Sequence, residues 1–339
     1  MRQIETTKSG GIDVLKIKDV NDPISRNGEI LIHVRAAGLN FADILARQGL
    51  YQDSPKMPCV MGYEVSGVVE STGDGVSDDW IGKEVVALTR FGGQSEKISV
   101  PAMQVFEKPS GLSFEEAAAI PVIYLTAYAL LVVMGALKKG ETILIHNAGG
   151  GVGLAALDIA IHIGARTIGT ASSQKHDFLK KRGLDHAIDY RTKDWSPIVE
   201  KLTGGKGVEL IIDPLGGDHW RKSYKALRAT GRLGMFGVST AGGESGLSGK
   251  LRLLKTAIGM PFFHPISLLD TNRSVFGMNL GHLWHEGEKI RGWMKELLKG
   301  VEEGWVQPYV DKTFTFDNVG DAHTYIEERR NIGKVILVP

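Results

Sequence analysis

Thr142–Gly153 reads TILIHNAGGGVG and runs on into LAALDIAIHIGA. Ile143, Leu144 and Ile145 are the branched apolar run of a strand buried on both faces. The run breaks at Ala148-Gly149-Gly150-Gly151-Val152-Gly153, after which Leu154, Leu157 and Ile161 recur with helical spacing. Strand, glycine turn and helix are the setting in which a dinucleotide fingerprint carries meaning. Gly150 and Gly151 remove Cβ atoms where a pyrophosphate comes close to the backbone. Gly153 lets the helix pack tightly on the strand, and the helix N-terminus turns unpaired N–H groups toward the phosphates. Ala148 stands at the first glycine of the usual pattern, giving A-x-G-x-x-G. This reading predicts nucleotide binding.

Working outward, 339 residues exceed one ordinary core and predict two domains. Forty basic and thirty-nine acidic side chains leave a net charge of +1, so no global field recruits nucleic acid or an anionic membrane. The single cysteine, Cys59, excludes an intrachain disulfide and a cysteine-rich zinc site, which makes the cytoplasm the expected compartment. The opening MRQIETTKSGG has no apolar core of a signal peptide. Ala117–Leu137 carries no charge and is long enough to span a bilayer. It contains Pro121, Tyr124, Thr126 and Tyr128 and leads through Lys138-Lys139-Gly140 into the nucleotide strand, so it reads as a buried helix between domains with no transmembrane span.

The first hundred residues are β-rich, with strands at Ile30–Ala36, Val65–Glu70, Glu84–Leu88 and Lys97–Val100 broken by glycine turns. Ser113-Phe114-Glu115-Glu116 is a capping box that opens a helix. From Thr142 strands and helices alternate: strands Ile143–His146, Thr167–Thr170, His186–Asp189, Glu209–Asp213 and Arg232–Phe236, with a sixth near Ser274–Met278. Alternation predicts right-handed crossovers and a parallel sheet in order 3-2-1-4-5-6. Ser239–Leu269, glycine-rich and then apolar, is expected to form a loop and a helix at the substrate mouth, and to supply the pocket walls. The alternating Lys312-Thr313-Phe314-Thr315-Phe316 matches nothing in the parallel sheet, so the tail is expected to rejoin the first domain.

AGLNFAD (Ala37–Asp43), PCVMGYEVSGVV (Pro58–Val69), IPVIYLTAY (Ile120–Tyr128), HNAGGGVG (His146–Gly153) and GKVILVP (Gly333–Pro339) resemble landmarks of the medium-chain dehydrogenase/reductase superfamily over nearly the whole chain. Within it the chain looks like the zinc-independent quinone oxidoreductase branch. NRSVFGMNLGHL (Asn272–Leu283) is most similar to the vesicle amine transport protein subgroup. The resemblance implies an α/β fold: a doubly wound dinucleotide-binding parallel sheet plus a β-rich GroES-like catalytic domain. It divides the chain into a catalytic domain over 1–122, a dinucleotide-binding domain over 123–270 with its last strand near 274–278, and a return to the catalytic domain over 279–339. Zinc-dependent relatives have cysteine at Asn40 and Gly-His-Glu at Gly62-Tyr63-Glu64. Asparagine and tyrosine are poor zinc ligands and the ten histidines show no ligand spacing, so no metal is expected.

Without zinc, carbonyl activation falls to hydrogen-bond donors and the shape of the cleft. The resemblance places Asn40, Asp43 and Tyr51 at its mouth as the catalytic set, with Tyr51 the candidate proton donor beside water. Asn40-x-x-Asp43 is equally a helix cap, and the two roles are compatible. Cofactor contacts are expected from Asn40, Thr126, Gly150, Gly151, Val152, Gly153, Ser172, Lys175 and Tyr190. By resemblance they extend to Gly237, Val238, Phe276, Met278 and Asn331. NADPH is the expected cofactor, because strand Arg166–Ala171 leaves into Ser172-Ser173-Gln174-Lys175 with no acid to accept a ribose 2′-hydroxyl and repel a 2′-phosphate. The expected activity is hydride transfer to quinones or α,β-unsaturated carbonyls by a homodimer. The alternative is a nucleotide-binding interaction or vesicle-associated protein with little turnover.

Overall fold

The computed structural model describes residues 1–240 and 246–339. Six parallel strands form one sheet in the spatial order His186–Asp189, Arg166–Ala171, Thr142–His146, Val208–Asp213, Leu227–Met235, Ser274–Gly277. In chain order this is 3-2-1-4-5-6, the expected doubly wound arrangement. Period-two alternation sends Ile143 and Ile145 to one face, where they meet Leu154 and Leu157 of helix Gly151–Ile163. Leu144 goes to the other face with Ile168, Ile211, Trp195 and Val199. Helices therefore cover both faces, which is why the strand carries no polar residue between Thr142 and His146.

The β-rich part is a largely antiparallel sheet built on Glu29–Leu39, which pairs with Glu64–Thr72 and Lys97–Pro101. The chain's end returns to it: Val335, Ile336 and Leu337 pair antiparallel with Leu39, Gly38 and Ala37, and Val310–Thr315 adds beyond them. The return to this sheet thus begins at Val310. Helix Gly287–Glu302 before it buries Ile290, Met294 and Leu297 in the core beside the nucleotide strand. A small sheet of Arg2–Thr6, Leu15–Asp19 and Cys59–Val60 was not anticipated. Its strands place mostly charged residues outward around Ile4 and Ile17, so the apolar pattern is thin.

Ala117–Leu137 is broken into short pieces: helix Phe114–Ala118 with its Ser113–Glu116 capping box, helix Pro121–Tyr128 with proline in its first turn, and a π-helical turn Ala129–Met134. Among the described residues no helix is long and apolar enough to cross a membrane. Of the expected loop and helix in Ser239–Leu269, residues 241–245 lie outside the described residues. Helices Gly246–Gly259 and Pro265–Thr271 follow them.

Candidate active site

The fingerprint glycines lie between Thr142–His146 and helix Gly151–Ile163, with Gly150 as N-cap. A Cβ on Gly153 would stand 2.3 Å from the Asn147 carbonyl oxygen, so no larger residue fits there, and one on Gly151 would stand 2.9 Å from Ile123 Cγ2, which would have to shift. The second contact also brings helix Pro121–Tyr128, with Thr126, against the fingerprint, and Val152 is half-buried beside it. Asn147 turns the chain into the helix at φ 55°, a left-handed position that asparagine tolerates. The carboxyl end of the sheet gathers the other expected cofactor residues. Gly237 and Val238 follow strand Leu227–Met235, Phe276 lies on Gly234 of the neighbouring strand, and buried Met278 donates its N–H to Met235 at 2.9 Å. Tyr190 ends strand His186–Asp189, partly exposed.

At the tip of Arg166–Ala171 the Ser172 side chain makes no cap bond, and Lys175 folds back, buried, to donate to the Asn331 carbonyl. Burial pushes the Lys175 ammonium down to about 8; Asp311 opposes the shift, while Arg191 and Arg329 add to it. Gly333 donates to the Gly149 carbonyl at 2.9 Å and bridges Gly150, which draws Asn331 and the chain's end onto the fingerprint. Lys175, Arg191 and Arg329 thus form a cationic group beside a helix N-terminus, which fits a phosphorylated dinucleotide. Arg329 escaped the sequence reading because it lies more than 150 residues from Lys175.

Asn40 and Asp43 are buried at the start of helix Phe41–Arg47, and neither lines the cavity bounded by Tyr51 and Tyr63. They form a reciprocal capping box on helix Phe41–Arg47: Asp43 accepts from Asn40 N–H at 2.8 Å and also from Gly62 N–H at 3.0 Å. Burial pushes the Asp43 carboxyl up to about 7, against those N–H groups and the Lys334 cation. The Asn40 amide is occupied at both ends. Its nitrogen donates to Glu64 at 2.9 Å and its oxygen accepts from Lys334 Nζ at 2.6 Å. Lys334 also donates to Glu64, whose other oxygen accepts from Val122 N–H at 2.7 Å. An ammonium therefore fills the space between the oxygens of Asn40 and Glu64, and an amide and a carboxylate so occupied do not fit a zinc ion. Lys334 was overlooked, although a lysine within the apolar run KVILV was its signal.

A second ligand-type group was invisible in sequence: His146, Asp213 and His219 converge within 4.8 Å. Their polar atoms are engaged with one another and with neighbours. Asp213 holds His219 at 2.6 Å and Ser223 at 2.7 Å, and His146 pairs with Thr170 at 3.0 Å and Ser223 at 3.2 Å. Burial pushes His146 down to about 3 and keeps it neutral. Hydrogen bonds thus occupy both nitrogens of His146 and Nδ1 of His219, with His146 and Asp213 buried and His219 partly exposed.

The cavity has a volume of about 650 Å³. Tyr51, Tyr63, Phe91 and Trp284 give it aromatic walls, and Asp53, Arg90, His282 and His285 give it polar ones. Among the described residues none of these comes from Ser239–Leu269, part of which lies outside them; the segment after strand Ser274–Gly277 contributes Gly281, His282, Trp284 and His285. Tyr51 and Tyr63 meet edge to face with ring centroids 6.5 Å apart. Burial and the Asp53 carboxylate raise the Tyr51 phenol, while the Asn279 and Tyr63 side chains pull it back; burial and then Asp43 raise Tyr63. Both hydroxyls are neutral donors at ordinary pH. Asp53 accepts from His282 at 2.7 Å and from Asn279 at 3.3 Å, tying the segment after helix Phe41–Arg47 to the segment after the sheet's edge strand.

Residues 26–110 match the alcohol dehydrogenase GroES-like domain and residues 151–296 the zinc-binding dehydrogenase family. The chain belongs to the medium-chain dehydrogenase/reductase superfamily. Within it the chain falls in the quinone oxidoreductase branch, near the VAT-1 homologues. It is 39% identical to the human synaptic vesicle membrane protein VAT-1 homolog over 100% of this chain and 86% of that one. The crystal structure of the human VAT-1 homolog-like protein superposes with a TM-score of 0.87 at 31% identity, covering 100% and 98% of the two chains. Escherichia coli quinone oxidoreductase, solved in complex with NADPH, gives 0.86 at 30% identity over 100% of both chains.

Proposed function

We propose that this chain is an NADPH-dependent oxidoreductase that reduces quinones or α,β-unsaturated carbonyls without zinc. The observation that carries the reading is the pair of neutral phenols, Tyr51 and Tyr63, in an aromatic cavity; apart from it, the Lys334 ammonium occupies the oxygens of Asn40 and Glu64. NADPH, when bound, supplies a hydride from its nicotinamide C4. Gly150, Gly151 and Gly153 with the helix N-terminus hold its pyrophosphate, and Lys175, Arg191 and Arg329 its 2′-phosphate. Tyr51 donates a hydrogen bond to the oxygen that gains charge as the acceptor is reduced, and it or water delivers the proton. Asn40 and Asp43 act by fixing the start of helix Phe41–Arg47. NADPH oxidation followed by absorbance against a panel of quinones and enones tests this. Turnover with at least one class is expected, and none with either overturns it.

Exposed Leu254, Ile258, Phe262, Ile266 and Leu269 favour a second reading, a nucleotide-binding protein that serves interaction or vesicle association with little turnover. Tight NADPH binding with no oxidation by any acceptor is the outcome that selects it.

A further inference from the structure

We infer that Arg90 selects acceptors bearing an anionic group, a carboxylate or sulfonate at the far end of a planar aromatic or enone body. The inference deepens the reductase reading and rests on it for turnover, but not for binding. Among the charged residues of the cavity, Asp53 is engaged by His282 at 2.7 Å and Asn279 at 3.3 Å, so its charge faces those partners. His285 stands 4.0 Å from Glu286. Arg90 has no hydrogen bond or ion pair among the described residues. Its guanidinium is therefore an exposed positive charge in the wall with no ion-pair partner among the described residues.

The residue is presented by a rigid backbone. Thr89 donates its N–H to Tyr63 O and its hydroxyl to Gly62 O, both at 2.8 Å, and Gly92 N–H reaches Val60 O at 3.0 Å. Phe91 packs on Tyr63 with ring centroids 5.2 Å apart. The Arg90 side chain thus starts from a fixed point beside the phenols and lines the same cavity. A guanidinium presents a planar fork of N–H donors that matches a carboxylate or sulfonate with two bonds, where an ammonium gives only a point charge. A cavity of about 650 Å³ admits a bicyclic ring system with such a substituent.

The test compares 1,4-naphthoquinone with its 2-sulfonate as acceptors for the NADPH-loaded protein, in wild type and in Arg90→Gln. Taking the ratio of kcat/KM for the two acceptors in each protein, and comparing those ratios, removes the quinones' different intrinsic reactivities. Loss of one charge-assisted contact lowers the sulfonate-to-parent ratio about tenfold, with Arg90→Lys intermediate. A ratio unchanged within about twofold overturns the inference. Titration of naphthalene-2-sulfonate and neutral naphthalene-2-sulfonamide into the NADP⁺-loaded proteins gives a readout that needs no turnover. Preference for the sulfonate, lost in Arg90→Gln, supports the site even if every acceptor fails and the reductase reading falls with them. Equal binding of the two compounds in wild type overturns it.

Discussion

The Tyr51 hydroxyl stands in the cavity as a neutral donor, held above its ordinary range chiefly by burial. Tyr51→Phe is expected to lower turnover about a hundredfold, more on enones than on quinones, with little change in NADPH affinity. Equal rates for mutant and wild type on both acceptor classes would leave Tyr51 as a wall. At the other end of the cofactor, Lys175→Ala should raise the NADPH Kd about tenfold, about 1.4 kcal/mol, and leave NADH nearly unchanged. The protonated ammonium is the form that pairs a phosphate, and burial holds it down to about 8. NADPH affinity should therefore fall as pH rises through 8 in wild type, and the fall should be shallower in the mutant; parallel titration curves would exclude Lys175. The places of Tyr51 at the cavity and Lys175 at the strand tip were legible because each follows a short local pattern, the segment after Asn40-x-x-Asp43 and the strand tip without an acid. Lys334, Arg329 and Arg90 were not, because their partners or neighbours come from distant parts of the chain and only the fold joins them.

The two capping boxes, the fingerprint helix and the six-strand order were all readable, since glycine turns and period-two runs are local signals. What no local signal carries is the tie between elements. Lys334 comes from the last strand, Glu64 from Glu64–Thr72 and Asn40 from the cap of helix Phe41–Arg47. Lys334 and Glu64 are both buried, so removing one partner leaves an uncompensated charge in the core. Glu64→Leu or Lys334→Met alone should destabilise the protein by about 3–5 kcal/mol, and the double substitution Glu64→Leu/Lys334→Met by much less than the sum. Denaturant midpoints of the four proteins decide it: two small, additive effects would mean that the pair does not bind these elements together.

Across the whole molecule, acid should act through two buried histidines. His146 and His323 are both fully buried, and burial pushes each down to about 3. The unfolded chain takes up these protons near 6.5, before the folded one does. Stability is therefore complete above 6.5 and is lost as pH falls toward 3, by about 2 kcal/mol for each histidine between pH 7 and 5. Replacing His323 with Leu should flatten that loss, and an unchanged pH slope of the denaturant midpoint would refute the assignment. Strand Ser274–Gly277 is an edge of the parallel sheet, and Ile258 and Leu269 lie exposed on the helices before it, with Phe262 exposed between them. An apolar edge of this kind calls for cover, so a homodimer is expected. A monomer mass by light scattering at micromolar concentration, or recovery only in detergent, would contradict that. The central claim is a hydride passing from NADPH to the acceptor without zinc, and it is tested most directly with NADPH deuterated at the transferring C4 position, an enone and chelator-treated protein. Deuterium in the reduced product, formed at the same rate as by protein not treated with chelator, is the predicted result. Product without label, or activity abolished by the chelator and restored by zinc, would contradict the account.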